Sequence, residues 1–225
     1  MRKILFTFLT ILLVIFSLLS TQLQAEDKPV PKQVIIYMID KLDLNDLSPE
    51  VTPNLWAIQN KAGLGLLNTL SAGERTSRNV TCTISAGKLA LGSSNADLNF
   101  KANEIIQGEK AGDIFYRNTG ILPADHNIVI NSIEVIKKNN ENLGLGKPGR
   151  LGDELHAMGL KTAVIGNADL PGYYSRTGPL IVMDSRGIID NGFTGKEVVE
   201  KSSPLLFSSN YHAILQAYKN VNDYD

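Results

Sequence analysis

The sequence predicts an α/β protein with three layers, in which helices cover both faces of a mostly parallel central sheet that is incomplete within this chain. Two observations support this prediction. Val34–Ile39 is a continuous apolar run of strand length, as expected for a central strand buried on both faces. A helix start and a second apolar run, Leu64–Leu70, follow it. The order strand, helix, strand over about thirty residues is typical of a βαβ unit.

Residues 1–25 have the layout of a secretory signal peptide. Two basic residues precede the apolar segment Ile4–Leu19, and a polar stretch then ends at Ala25, where we expect cleavage. The apolar segment is shorter than the roughly 20 residues that comfortably span a bilayer. We therefore expect an exported protein with no stable membrane span unless the signal peptide is retained. A short spacer over residues 26–32 links it to the first strand.

The mature chain after cleavage has the length of one α/β domain, which we expect over residues 33–225 with an insertion at about 93–143. The formal net charge of −1 and the absence of a lysine- or arginine-rich run argue against nucleic-acid binding. A single cysteine, Cys82, cannot form an internal disulfide. This cysteine usage is ordinary for an exported bacterial protein.

The first predicted helix begins at Thr52-Pro53, a hydroxyl cap followed by proline at the first helical position, and ends at Gly63. Later segments give weaker signals. They predict strands over Asn127–Ile130, Lys161–Gly166 and Pro179–Asp184, and a turn at Asn191-Gly192. They also predict a helix over Ser132–Lys138 and a helix that opens at Pro148-Gly149, with Leu151, Leu155 and Met158 on its inner face. The segment Lys196–Tyr218 is predicted to be largely helical, with a break at Pro204.

Hydroxyl groups gather at the start of a second helix. The turn Ser71–Arg78 leads into the small-residue segment Asn79–Gly87, so Thr76 and Ser77 lie at the amino end and Asn79 is one helical turn from Thr76. A helix amino end offers free N–H groups and a partial positive charge, which suit a phosphoryl group and a threonine alkoxide. Ordinary capping of the helix by Thr76 or Ser77 is the alternative interpretation.

Two acidic residues follow predicted parallel strands. Asp40 comes directly after the first strand, and Asp169 lies just beyond the strand Lys161–Gly166. Ligands of open α/β sheets bind outside the carboxyl ends of the strands, so both carboxylates are site candidates, with Asp169 ranked second. A loop acid or a helix cap would look the same in the sequence.

The segment Gly144–Gly149 formally matches a GxGxxG dinucleotide fingerprint. That fingerprint needs a strand leading into its first glycine, whereas the polar run Lys137–Asn142 precedes it here. We therefore do not interpret it as a nucleotide site.

Several of these segments together resemble a known family. They are similar to the alkaline-phosphatase-like superfamily, most of all to its exported bacterial members, and the resemblance is carried by Val34–Asp40, the Thr52–Leu55 helix start, Gly63–Asn68, Gly73–Gly87, Leu151–Asp169 and Met183-Asp184. The resemblance implies a metal-dependent phosphohydrolase or phosphodiesterase that acts on a small-molecule phosphate ester. The segment Gly73–Gly87 lacks the Cys/Ser-x-Pro-x-Arg motif of the sulfatases of that superfamily.

The resemblance also implies roles for individual residues. Asp40 matches the metal-binding aspartate of the family. Thr76 matches the nucleophile, which also contacts a metal, and Ser77 is the runner-up for the nucleophile. Asn79 matches a residue that contacts the phosphate. Two divalent metals, zinc or else manganese or magnesium, would activate the nucleophile and hold the transferring group. The implied reaction forms a covalent phosphothreonine that water then hydrolyses.

The chain departs from the family pattern in its later half. The family completes its metal sites with Asp and His residues there, but His126, His156 and His212 do not stand in such an arrangement. Lys41 also replaces the glycine that commonly follows the metal aspartate. We therefore expect a fragment or a degenerate member. The alternative function is a non-catalytic exported α/β protein that binds a ligand or a partner at the cell envelope.

Overall fold

A computed structural model describes residues 33–39, 42–63, 65, 70–202 and 207–222. The chain divides into two compact units, residues 1–65 and 66–225, which are treated separately below. Helices alternate with short strands in small sheets, so the prediction of an α/β protein is confirmed at this level. In the part of the chain that is described, no helix combines the length and the apolar character that crossing a membrane requires.

The first unit contains helix α1, Pro53–Gln59, and a preceding 3-10 turn, Leu44–Asp46. Pro53 occupies the start of α1 as predicted, because its fixed φ suits the first helical position. The Thr52 hydroxyl does not cap the helix as predicted. It donates instead to the Asp46 carbonyl at 2.6 Å, which ties the helix start back to the 3-10 turn.

The predicted central strand over Val34–Ile39 is wrong. These six residues form no strand, and their exposed fractions run from 42% to 73%. An apolar run predicts burial only where a neighbouring strand and covering layers are present, which periodicity cannot reveal. The second predicted strand, Leu64–Leu70, lies mostly outside the described residues.

The second unit contains the larger part of the described structure. Its helices are α2 (Ser77–Ala86), α3 (Ala111–Thr119), α4 (Ile133–Asn142), α5 (Arg150–Ala157), α6 (Pro179–Val182) and α7 (Tyr211–Asn222). Its strands are β1 (Asn99–Lys101), β2 (Ile105–Ile106), β3 (Glu109–Lys110), β4 (Ile128–Ile130), β5 (Ala163–Ile165), β6 (Ile188–Ile189), β7 (Asn191–Phe193), β8 (Val199–Glu200) and β9 (Ser208–Ser209).

Strand β4 is the centre of this unit. It pairs antiparallel with β1 on one side and with β6 on the other, and all three of its residues are buried. Around it lies one apolar core, which includes Cys82, Phe100, Phe115, Ile133, Ile136, Leu180 and Met183. The predicted strand over Asn127–Ile130 and helix over Ser132–Lys138 are confirmed as β4 and α4.

Parallel pairing among the described strands is confined to β5 and β7, with Ala163 opposite Asn191. The predicted strand over Lys161–Gly166 is thus confirmed as β5. The predicted turn at Asn191-Gly192 is wrong, since both residues belong to β7. Gly192 is needed for close approach rather than for a turn, because a Cβ there would lie 2.6 Å from the Val164 carbonyl oxygen.

Three other element predictions need correction. Pro179–Asp184 begins as helix α6 rather than as a strand, with Pro179 preset for the first helical turn. Among the described residues of Lys196–Tyr218, a 3-10 turn and strands β8 and β9 precede helix α7, which begins at Tyr211. The helix after Pro148-Gly149 is confirmed as α5, but Met158 lies beyond its end and is 56% exposed. Helix α5 instead approaches Met183 through Gly152, which has no side chain to keep them apart.

Candidate functional site

Helix α2 begins with Thr76 as its N-cap residue, so of the two residues named in the alternative interpretation it is Thr76 that caps the helix. The Asn79 N–H donates to the Thr76 hydroxyl oxygen at 3.3 Å, and the Thr76 carbonyl accepts from the Val80 N–H at 3.0 Å. Helix geometry leaves the N–H groups of Ser77 and Arg78 without partners inside the helix. Thr76 is partly exposed and Ser77 is exposed, whereas Thr81, Cys82, Ser85 and Ala86 are buried farther along. The amino end of α2 is therefore the accessible end of a buried helix.

The turn before α2 is organised around one carbonyl oxygen. The Glu74 carbonyl accepts from the Thr76 N–H at 2.9 Å, from the Asn79 side-chain Nδ2 at 2.8 Å and from the Ser71 hydroxyl at 3.3 Å. Gly73 takes a positive φ of 76° in this turn, a conformation that glycine adopts without strain. These bonds hold Thr76 in the extended conformation that an N-cap residue requires.

A segment without regular secondary structure, Ala90–Ser94, lies along α2 and is held by side chains rather than by pairing with a strand. Thr83 bonds both the N–H and the carbonyl of Ala90 at 3.1 Å, and Asn140 of α4 bonds both backbone groups of Leu91 at 2.8 Å. The Gly92 N–H donates to Asn79 Oδ1 at 2.9 Å. The Arg78 guanidinium donates to the carbonyls of Ser93 and Ser94. This segment therefore forms a fixed wall beside the start of α2.

The structure brings together two of the predicted site residues, Thr76 and Asn79, and places Ser77 beside them. The predicted metal ligand Asp40 lies outside the described residues. Among the residues that are described, no three His, Cys, Asp or Glu side chains are grouped so that they could hold a metal ion. The described residues therefore do not by themselves fit a two-metal centre.

Asp169, the second-ranked candidate, forms an ion pair with the buried side chain of Arg176. Its Oδ2 atom accepts from Arg176 Nε at 2.9 Å and from Nη2 at 2.7 Å, and its Oδ1 atom accepts from the Ser175 N–H at 2.9 Å. Glu104 binds the other side of the same guanidinium, at 2.8 and 3.1 Å. Arg176 is fully buried, and the rings of Phe100 and Tyr174 lie about 5 Å from it.

These partners also decide the charge of Arg176. Burial alone would lower the pKa of Arg176, but the hydrogen bonds to Glu104 and Asp169 raise it above its ordinary value. The guanidinium is thus charged and bound on both sides, and Asp169 serves this cluster rather than a ligand site.

His156, which the sequence leaves without a role, forms a hydrogen bond with Asp190, the residue between strands β6 and β7. Its Nε2 atom lies 2.8 Å from Asp190 Oδ2, and that same oxygen accepts from the Thr162 N–H at 2.7 Å and from its hydroxyl at 3.1 Å. Burial tends to raise the pKa of Asp190, but the hydrogen bonds from Thr162 and His156 lower it below its ordinary value. Asp190 joins β6 to β7, so the cluster ties α5 to the junction between two sheets.

Two of the three glycines of the GxGxxG match, Gly146 and Gly149, have packing roles. The Gly146 N–H donates to the Leu89 carbonyl at 2.8 Å, and the Gly149 N–H donates to the Ser85 hydroxyl at 2.9 Å. A Cβ on Gly146 would lie 2.9 Å from the Ala86 side chain. The loop therefore packs against the carboxyl-terminal half of α2.

Comparison of the chain with protein-family models, with curated proteins and with solved structures found no match. The candidate site therefore rests on its own geometry. Sequence reasoning missed the wall Ala90–Ser94 and the side chains that hold it. The available signal was the spacing of Asn79 and Thr83, which puts two hydrogen-bonding side chains on one face of α2.

Proposed function

We propose that the chain is an exported phosphohydrolase-like protein that acts on a small-molecule phosphate ester, with Thr76 as its nucleophile. The observation that supports this is the position of the Thr76 hydroxyl at the accessible amino end of α2, beside the N–H groups of Ser77 and Arg78. Such N–H groups and the helix dipole favour the negative charge of a phosphoryl group. The proposal includes the three-layer organisation with a mostly parallel sheet, to which the β5–β7 pair would belong.

The reaction follows from the position of Thr76. A bond forms between Thr76 Oγ1 and phosphorus while the bond from phosphorus to the ester oxygen breaks, and the proton lost by the hydroxyl is balanced by the one the leaving alcohol gains. Water then cleaves the phosphothreonine, which restores the hydroxyl and releases phosphate. By resemblance, such an activity would use divalent metals. The described residues do not complete a centre for them.

The test is hydrolysis of an aryl phosphate monoester and diester by the purified chain, with zinc or manganese supplied. Thr76→Ala removes both the nucleophile and the helix cap, so it cannot separate chemistry from folding. Thr76→Asn keeps a good N-cap without a nucleophilic hydroxyl, and Thr76→Ser keeps both. We expect Thr76→Ser to remain active and Thr76→Asn to lose activity by on the order of a thousandfold or more.

Ser77 is the matched control, since it lies next to Thr76 and is exposed. Ser77→Ala should keep its activity within a few-fold of the unsubstituted chain. Loss of activity in Ser77→Ala together with an active Thr76→Asn would move the nucleophile to Ser77 and contradict the assignment.

A non-catalytic exported protein that binds a ligand or partner at the cell envelope is the second candidate. It is favoured by the internal bonds of the site, in which the Thr76 hydroxyl caps α2 and both ends of the Asn79 side-chain amide have backbone partners. The same assay separates the two functions. No hydrolysis by the unsubstituted chain, with no zinc binding, would favour this second candidate.

A further inference from the structure

We propose that Asn79 is a positioning residue, which acts by holding the Thr76 turn and the wall Ala90–Ser94 against the start of α2 rather than by contacting the phosphoryl group. This inference rests on the proposed function and deepens it. Asn79 binds three separate parts of the site. Its N–H donates to Thr76 Oγ1 at 3.3 Å, its Nδ2 to the Glu74 carbonyl at 2.8 Å, and its Oδ1 accepts from the Gly92 N–H at 2.9 Å.

The bond to Glu74 controls the direction of Thr76. Glu74 lies two residues before Thr76, and its carbonyl also accepts the Thr76 N–H. The Asn79 side chain therefore fixes the turn that precedes Thr76, while the Asn79 N–H orients the Thr76 hydroxyl. A nucleophile gains rate from such orientation, because a misplacement of about 1 Å can cost on the order of a hundredfold.

The bond to Gly92 fixes the wall. The position of the Gly92 Cα leaves no room for a side chain, since a Cβ would lie 2.8 Å from Arg78 Cβ and 3.1 Å from the Arg78 carbonyl carbon and oxygen. Gly92 thus packs directly on the first turn of α2, where only glycine allows the Asn79 bond to form. The Asn79 amide thus joins the wall to the helix start, beside the bonds from Arg78 to the Ser93 and Ser94 carbonyls.

The side chain of Asn79 has limited capacity for a second role. Its Oδ1 atom has a partner in the Gly92 N–H, and one Nδ2 hydrogen is directed to Glu74. One Nδ2 hydrogen remains, so a direct phosphate contact is the competing account of the same residue. The two accounts differ in what a change at Gly92 should do.

The experiment compares Asn79→Ala with Gly92→Ala, which pushes the wall off α2 and leaves the Asn79 amide intact. Asn139→Ala, at an exposed position of α4, is the matched control. The readouts are kcat and KM for the aryl phosphate and the Kd for inorganic phosphate. We expect both site variants to lower kcat about tenfold or more while KM and Kd stay within about twofold. An Asn79→Ala variant that weakens phosphate binding about tenfold, beside a Gly92→Ala variant with unchanged kcat, would overturn the proposal.

Amide hydrogen exchange at Gly92 makes the test independent of activity. Asn79→Ala should speed exchange of the Gly92 N–H about tenfold or more, since its acceptor is lost, and Asn139→Ala should not. If the unsubstituted chain neither hydrolyses aryl phosphate nor binds phosphate, the proposed function fails, and Gly92 exchange alone decides whether Asn79 holds the wall. Unchanged exchange in Asn79→Ala would overturn the positioning role in either case.

Discussion

Thr76 combines two properties that usually compete. As an N-cap residue, its oxygen accepts the Asn79 N–H, and that bond stabilises α2 by about 1 kcal/mol. As a nucleophile, the same oxygen must be free to approach phosphorus. The bond is long, at 3.3 Å, and the residue is partly exposed, so the hydroxyl is directed without being enclosed. The Asn79 N–H would also favour the oxygen as it gains negative charge.

Arg176 is the residue on which we expect stability to depend most. Its fully buried guanidinium binds Asp169 and Glu104, so Arg176→Ala leaves two carboxylates beside a cavity. Removing one partner of a buried ion pair costs about 3–5 kcal/mol, and we expect that loss in the free energy of unfolding measured in urea.

Arg117 provides the comparison, because it pairs with Glu109 at the surface. Arg117→Ala should lower the free energy of unfolding far less than Arg176→Ala does, because solvent screens an exposed ion pair. Equal losses in the free energy of unfolding for the two arginine variants would contradict the larger stabilisation expected from the buried cluster.

At the level of helices and strands, Gly152 sets the distance between α5 and α6. A Cβ on Gly152 would lie 2.3 Å from the Met183 carbonyl oxygen, which is backbone and cannot rotate away. We expect Gly152→Ala to lower the free energy of unfolding by about 1–3 kcal/mol or more, because the helices must separate.

Gly178 is the matched position for that measurement. A Cβ there meets only Val164 at an ordinary 3.6 Å, and the backbone is already right-handed helical. Gly178→Ala should be neutral or stabilise by up to about 1 kcal/mol. A Gly152→Ala variant as stable as Gly178→Ala would contradict the packing described for α5.

The junction between the antiparallel sheet and the β5–β7 pair should respond to pH through Asp190. The hydrogen bonds of Thr162 and His156 hold its folded pKa below its ordinary value of 3.8. The stabilisation is therefore complete above pH 3.8 and is lost as the pH falls from there through the lowered folded pKa. Urea unfolding at a series of acidic pH values should show this loss.

Asp190→Asn is the variant that isolates the effect. It should flatten the pH dependence over that interval and cost about 1–3 kcal/mol at neutral pH, where the charged acceptor is missing. A variant with the same pH dependence as the unsubstituted chain would show that other acids are responsible.

Local rules predicted the elements whose signals are contained in adjacent residues. Thr76 capping α2, Pro53 opening α1, and strands β4 and β5 follow from caps, proline and short apolar runs. Predictions failed where a distant partner decides the outcome. Whether Val34–Ile39 is buried depends on neighbouring strands, and the role of Gly192 depends on Val164 across the pair.

The candidate site shows the same limit. The hydroxyl residues at the start of α2 could be found from the sequence, whereas the wall that Asn79, Thr83 and Asn140 hold was indicated only by the spacing of Asn79 and Thr83. Hydrogen bonds from side chains to an irregular segment leave no periodic pattern within that segment, because it pairs with no strand.

For the larger unit as a whole, the reactivity of the Cys82 thiol towards alkylating agents can be used to follow unfolding. It is fully buried in the core around β4, and burial raises the pKa of its thiol to about 12. The thiolate that reacts with alkylating agents is therefore scarce as well as inaccessible in the folded protein. We expect labelling of Cys82 to be undetectable under native conditions and to rise together with unfolding in urea. Rapid labelling without denaturant would contradict a closed core.

The central claim is that Thr76 carries a phosphoryl group during turnover. Its most direct measurement is acid quenching of the purified chain during reaction with an aryl phosphate, followed by peptide mass spectrometry of the segment that contains Thr76 and Ser77. We expect one phosphoryl group on Thr76, absent from Thr76→Asn and present in Ser77→Ala. A phosphoryl group on Ser77, or turnover by Thr76→Asn with no modified peptide, would contradict it.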